Sequence, residues 1–435
     1  MTDSQTLALL GGKPLITKPF EFNRSIGVEE KNAVINVLDH GELSGFIASP
    51  GEAFWGGKKV RSLQAAFEKR YNVRHALAFN SATSALHAAA SAMGIGPGDE
   101  VITSPWTMSA TAISILFTGA VPIFADIEPQ SFGLDPASVE ANITPRTRGI
   151  FAVNIFGHPC RLDELREIAD RYNLFLVEDN AQAPDAQHNG KFTGTIGDAG
   201  IFSFNRHKVM QSGEGGILIT NDDKIAQKAA LLRNHGEVVV DAMGIDDLVN
   251  TIGLNLRMTE MEAAVAIEQF KKLPRLNAQR IRLANHLTKG MKNLPGLTPP
   301  AVQDGSKHVY YMFPILYDEA ETGLPRELFV EAMAAEGAAI RAGYLKPVYL
   351  EPVFQKKIAF GSQGYPFTAH PFPETICYDK GICPTCERLA ESDFILTYIM
   401  QPPQTEADMD MFVQACRKVL NGRDELTAHA GNRTT

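Results

Sequence analysis

Gly197-Asp198-Ala199-Gly200-Ile201-Phe202-Ser203-Phe204-Asn205-Arg206-His207-Lys208-Val209-Met210-Gln211-Ser212-Gly213-Glu214-Gly215-Gly216 is the stretch whose pattern decides the fold. It divides into a short apolar run, a polar turn with one lysine, and a Gly-rich turn entering a second apolar run, Ile217-Leu218-Ile219-Thr220. Apolar residues bounded by glycines predict two strands. The glycines predict positive φ or close backbone approach. Lys208 then lies between two core strands. Partial burial beside cations such as Arg206 and His207 would lower its pKa and supply free amine, as a Schiff-base lysine requires. A solvated lysine at a strand end fits this stretch equally well.

Outward from this stretch the sequence alternates regularly. Upstream, the pattern predicts a helix over 61–71, a strand over 75–79, an alanine-rich helix over 84–93 and a strand over 101–104. A helix over 108–117, a strand over 121–127, a helix from Asp135, a strand over 149–156, a helix over 162–172 and a strand over 174–178 follow. Such alternation indicates a wound, mainly parallel α/β sheet, with ligands held outside the carboxyl ends of the strands. Downstream, a helix over 223–234 and the segment Gly253-Leu254-Asn255-Leu256-Arg257-Met258-Thr259-Glu260 lead into a long helix bent at Pro274. From about Leu297 a strand over 308–317 and helices over 326–336 and 406–420 predict a smaller α+β domain. The expected organisation is an N-terminal arm (1–30), a large domain (31–275) and a small C-terminal domain (276–435).

The 435 residues allow two or three domains with ample core. A net charge of −9 and the lack of a long basic block argue against a nucleic-acid partner. No apolar run reaches membrane-spanning length and no signal-peptide pattern opens the chain, so the expected compartment is the cytoplasm. Five cysteines argue against a disulfide framework. Cys383-Pro384-Thr385-Cys386 has metal-ligand spacing, but no second pair completes a tetrahedral set, so no metal is expected.

Three groups fall at predicted strand ends. Asn80-Ser81-Ala82-Thr83-Ser84 opens a helix with hydroxyls and free N–H groups, which suits a phosphate or simple N-capping. Glu178-Asp179 ends an apolar strand. A carboxylate at that depth needs a cation or strong donor, and a protonated pyridine nitrogen is such a partner. Capping of the next helix, or metal binding by the two acids, are the other readings of Asp179. Gln182 could donate to a ring oxygen. Ser203 precedes Lys208 by five residues, so hydroxyl and amine could meet one cofactor. Phosphate site, acid and lysine in that order describe a pyridoxal-phosphate enzyme of the aspartate-aminotransferase-like fold.

Over nearly its whole length the chain resembles the DegT/StrS family of sugar aminotransferases. The resemblance rests on Asn80-Ser81-Ala82-Thr83-Ser84-Ala85-Leu86, where Ala82 replaces the usual glycine, and on Gly96-Pro97-Gly98-Asp99-Glu100. It rests further on Glu178-Asp179-Asn180-Ala181-Gln182-Ala183, Gly197 to Gly216, the segment from Gly253 to Glu260, and Cys383-Pro384-Thr385-Cys386-Glu387-Arg388. It implies fold type I, a mainly parallel seven-stranded sheet flanked by helices with a smaller C-terminal α+β domain, and pyridoxal 5'-phosphate as cofactor. It implies that Lys208 binds the cofactor covalently and moves protons, that Asp179 pairs with the pyridine nitrogen, and that Gln182 contacts the ring oxygen. Ala82, Thr83 and Ser203 would hold the phosphate, joined by Asn255 from the second subunit of a homodimer. The family's stacking aromatic falls here on Met108, with Trp106 two residues before it as the alternative.

The implied activity is a ping-pong transfer of nitrogen from glutamate or glutamine to a nucleotide-linked keto-sugar or a keto-cyclitol. A pyridoxal-dependent dehydratase is the first alternative, against which Lys208 argues, since a related dehydratase branch has histidine in its place. A non-catalytic cofactor-binding regulator is the second. Arg233, His235, Arg257, His308, Tyr310 and Arg341 are candidates for substrate contacts, or for ion pairs and packed rings.

Overall fold

A computed structural model describes residues 6–21 and 25–433. Residues 1–5 and 22–24 of the expected arm, and the last two residues, lie outside the described residues. Seven strands form the main sheet: β1 (His75–Phe79), β2 (Glu100–Thr103), β3 (Val121–Phe124), β4 (Thr147–Val153), β5 (Phe175–Asp179), β6 (Ala199–Ser203) and β7 (Gly216–Thr220). Their order is β1-β7-β6-β5-β4-β2-β3. Only β7 runs against its neighbours, pairing antiparallel with β1 and β6. The remaining pairs are parallel. The carboxyl ends of β1, β2, β5 and β6 therefore share one edge of the sheet. The strands are apolar nearly throughout because helices cover both faces.

Those helices include α1 (Val28–His40), α2 (Lys58–Tyr71), α3 (Ala82–Ala92), α4 (Ala110–Leu116), α5 (Pro136–Ala141), α6 (Leu162–Tyr172) and α7 (Asp223–Arg233). Ala85, Ala88, Ala89 and Ala92 of α3 are buried, and their small side chains let α3 lie close to both the sheet and α7. Helix α8 (Glu260–Met291) runs for 32 residues, about 48 Å, with Pro274 inside it. Its first half (Ala263, Phe270, Leu273) packs with Phe67 and Phe202 against the main sheet. Its second half (Leu283, Leu287, Met291) enters the C-terminal core. Residue 275, the expected domain boundary, thus falls inside a continuous helix.

Beyond α8, the short β8 (Leu297–Thr298), β9 (Phe313–Tyr317), β10 (Arg341–Ala342) and β11 (Phe394–Thr397) form an antiparallel sheet of order β8-β9-β11-β10. It packs with α9 (Arg326–Ala335) and α11 (Glu406–Asn421) around Phe313, Phe329, Met333 and Phe412, and Leu7 and Ile16 join this core. One expectation needs correction. The strand over 308–317 begins only at Phe313, because Tyr310 takes φ 51° and the chain there wraps Gly157. Residues Arg423–Arg433 form a helix that the sequence pattern does not predict.

Candidate active site

The connection from β6 to β7 carries Lys208 at the shared strand edge. Hydrogen bonds from Phe204 N–H to Gly215 O (2.9 Å) and from Ser212 N–H to Phe204 O (2.9 Å) close this loop, and Lys208 N–H donates to Asn205 O (2.9 Å). The Lys208 ammonium lies 4.8 Å from the centre of the Tyr311 ring. Burial lowers its pKa from 10.5 to about 8, opposed by the negative charge of Asp179. Burial, and not the neighbouring cations, causes this shift: Arg206 and His207 are exposed. Among the described residues, no carboxylate lies within ion-pair distance of Lys208.

Asp179, the last residue of β5, is buried. Its Oδ2 accepts from the Thr111 hydroxyl (2.7 Å) and its Oδ1 from Ala181 N–H (3.1 Å). Burial raises its pKa, while Thr111, Ala181 and Lys208 hold it down. It has no ion-pair partner among the described residues. Glu178 next to it points elsewhere: its carboxylate accepts from the N–H groups of Gly194, Ile196 and Gly197 at 2.7–2.8 Å. That network removes the metal reading of the two acids, and no group of side chains able to hold a metal occurs among the described residues.

Gln182 Oε1 accepts from Phe156 N–H (2.7 Å) and Nε2 donates to the Tyr344 hydroxyl (3.2 Å). Ser203 ends β6. Ala82 and Thr83 form the first turn of α3, capped by the Ser81 hydroxyl on Ser84 N–H (3.0 Å). A first-turn N–H has no carbonyl one turn before it and is free for an anion. Gly216 passes so close that a Cβ there would lie 2.4 Å from Ala82 N.

The remaining candidates separate. Met108 is 58% exposed at the start of α4, whereas Trp106 is fully buried. Trp106 donates to Leu345 O (2.7 Å) and packs on Phe156 and Phe394, so it cannot cover a ring at the site. Asn255 is exposed, held by Arg257 Nε at 2.7 Å. Arg233 is buried, bonded to Gln64 and Ala78 O and lying over the Phe46 ring. His308 and Tyr310 are buried and stacked 3.8 Å apart. These three are packing residues. His235 stands beside Glu237, and Arg341 lies over Tyr398. Cys383 and Cys386 are buried free thiols at the start of α10 (Pro384–Glu391), whose N–H groups at Thr385 and Cys386 are capped by Asp126 (2.8 and 2.9 Å). Thr111, Tyr311 and Tyr344 were not singled out from the sequence. A groove of about 540 Å³ lined by Glu128, Arg161, His188 and Gln303 includes none of the site residues. In the single chain Arg206 and His207, beside Lys208 in sequence, are exposed to solvent, as is Met108.

A family model described as DegT/DnrJ/EryC1/StrS aminotransferase family matches residues 30–387. The L-glutamine:2-deoxy-scyllo-inosose aminotransferase of Streptoalloteichus tenebrarius is 34% identical over 435 residues, covering 97% of this chain and 99% of that protein. The spore coat polysaccharide biosynthesis protein SpsC of Bacillus subtilis is 31% identical over 405 residues, 92% of this chain and 96% of SpsC. Among solved structures, that of DesI in the presence of its TDP-sugar product matches with a TM-score of 0.80 at 28% identity, covering 98% of each chain. The chain belongs to the DegT/DnrJ/EryC1/StrS aminotransferase family, and it is an aminotransferase.

Proposed function

We propose that this aminotransferase uses pyridoxal 5'-phosphate, held at Lys208, to move nitrogen from glutamine or glutamate to a keto-sugar or keto-cyclitol. The observation that carries the reading is the pairing of a buried, ion-pair-free Asp179 with a half-buried lysine of lowered pKa at one strand edge. An unpaired buried carboxylate is costly, and a protonated ring nitrogen would supply its missing cation. The free N–H groups of Ala82 and Thr83 and the hydroxyl of Ser203 suit a phosphate. The exposed Met108 suits the face of a ring.

Bound there, the cofactor supplies an electron sink for the bonds broken at the donor's α-carbon. The chain's own residues do the rest. Lys208, whose amine is substantially neutral near pH 8, takes the α-proton of the donor and returns it on the other side of the transfer. Asp179, oriented by Thr111 and Ala181, would keep the ring nitrogen charged. Gln182 has one amide N–H left that would donate to the ring oxygen. The Tyr311 ring confines the lysine amine and shields it from water.

The chain works as a homodimer in this reading. Val28, Ile35 and Leu38 of α1, with Leu248, Val249, Ile252 and Leu254, expose apolar surface in the single chain, as an interface does. Asn255, on the same exposed segment, would complete the phosphate site of the second subunit. The relatives' names support the acceptor class: one is a glutamine-dependent inosose aminotransferase, another a polysaccharide biosynthesis protein.

The test is the absorption spectrum of the purified protein before and after glutamine or glutamate. A visible cofactor band that a donor converts, and that keto-cyclitols or nucleotide-linked keto-sugars restore, is expected. A bound cofactor that neither donor alters would overturn the donor assignment. Failure to bind pyridoxal 5'-phosphate at all would overturn the role of Lys208.

A further inference from the structure

Gln182 is held by two partners of different origin. The backbone N–H of Phe156 can only donate, so the amide atom facing it must be oxygen, and the amide nitrogen then faces Tyr344. Phe156 presents that N–H because it sits in the left-handed region (φ 56°) before Gly157 (φ 94°). A Cβ on Gly157 would lie 2.9 Å from Tyr311 N, so this turn is pressed against the segment that carries Tyr311.

Tyr344 is anchored just as firmly. Gly343 N–H donates to Phe394 O (3.0 Å) of β11, and Leu345 O accepts from the Trp106 indole (2.7 Å) beside β2. The phenol ring stands edge-on between Trp106 (6.1 Å) and Phe156 (5.0 Å). Its neighbours in sequence are thus tied to both sheets, and its hydroxyl meets the side chain assigned to the cofactor. Accepting from Gln182 leaves the hydroxyl's own proton free to donate. Burial raises the phenol pKa to about 12, so that proton stays in place at neutral pH.

We infer that Tyr344 is a positioning residue: through Gln182 it sets how strongly the cofactor's ring oxygen is held, and so links the seating of the C-terminal sheet to the cofactor. The inference rests on the cofactor reading above. A donor to the ring oxygen draws that oxygen's negative charge away from the proton on the nitrogen that joins Lys208 to the cofactor. A looser Gln182 therefore lets that nitrogen keep its proton to higher pH.

The experiment compares wild type, Tyr344→Phe, Gln182→Leu and the double variant, each loaded with pyridoxal 5'-phosphate. The readout is the pH midpoint of the cofactor's visible band. Tyr344→Phe keeps the ring packing and is expected to raise the midpoint by roughly half to one pH unit, the size expected for loss of one hydrogen bond. The double variant is expected to match Gln182→Leu alone, because both changes act on one contact. An unchanged midpoint in Tyr344→Phe, with only its melting temperature lowered, would make Tyr344 a packing residue and overturn the inference. Additive shifts in the double variant would overturn it too. Borohydride reduction followed by mass spectrometry separates these outcomes from failure of the parent reading. A wild type that carries no cofactor on Lys208 loses both, whereas a labelled wild type with an unmoved Tyr344→Phe loses only the inference.

Discussion

At the scale of single residues, Lys208 gives the site a measurable pH dependence. Its amine titrates near 8 in the folded, cofactor-free chain against 10.5 for an unperturbed lysine. Between those values the unfolded chain holds one proton more than the folded chain, so stability rises with pH across the window. Denaturant melts at pH 7, 8.5 and 10 should show a slope that Lys208→Met removes, with a total effect of at most about 3 kcal/mol. An identical slope in both proteins would contradict the burial of this amine. The same variant should lack transamination while folding normally. Thr111 makes a second prediction. Thr111→Val leaves Asp179 with only the Ala181 N–H, raises its proton affinity, and should lower kcat by about five- to tenfold, the cost of one hydrogen bond. A steeper loss of activity on the acid side of the pH profile should accompany it.

At the scale of elements, two contacts position the site. The start of β7 lies against the first turn of α3, and Gly216 is the residue that permits this. In Gly216→Ala the new methyl would meet the backbone of Ala82, which cannot swing aside as a side chain would. The first turn of α3 must shift, and affinity for pyridoxal 5'-phosphate should fall by roughly tenfold or more, with about 1–3 kcal/mol of stability lost. Equilibrium binding measures the first effect and denaturant melts the second. Asp126, beyond β3, caps α10 from across the molecule. Asp126→Ala should cost about 1–2 kcal/mol in a denaturant melt, as cap removal does, with little change in donor KM. These elements were largely legible in advance. The strand over 75–79 and the helix over 162–172 form where the pattern puts them, because local periodicity governs them. The strand expected over 308–317 was truncated by contact with Gly157, which no local pattern carries.

At the scale of the whole molecule, α8 joins the two cores as one continuous helix, and apolar side chains stay exposed around the segment bearing Asn255. Ile252 is 81% exposed, which is costly in a chain that works alone. Sedimentation of wild type should therefore show a dimer. Ile252→Asp with Leu254→Asp should yield a monomer that binds the cofactor weakly, because Asn255 would then not reach the second site of the proposed homodimer. A monomeric wild type with full activity would refute the shared site.

Alternating strands and helices, the order of phosphate turn, acid and lysine, and the Gly-rich approach of β7 follow from short stretches of sequence. Each is governed by neighbours a few residues away, and so the sequence by itself determined the fold class and the core of the candidate site. Tertiary structure alone decided what surrounds that core. It buried Trp106 and left Met108 exposed. It packed Arg233, His308 and Tyr310 away from solvent, and it attributed the Lys208 shift to burial rather than to Arg206 and His207. It also brought Thr111 to Asp179 across 68 positions and Tyr344 to Gln182 across 162. A hydrogen bond depends on where two side chains meet in space, and at such separations only the folded chain specifies that.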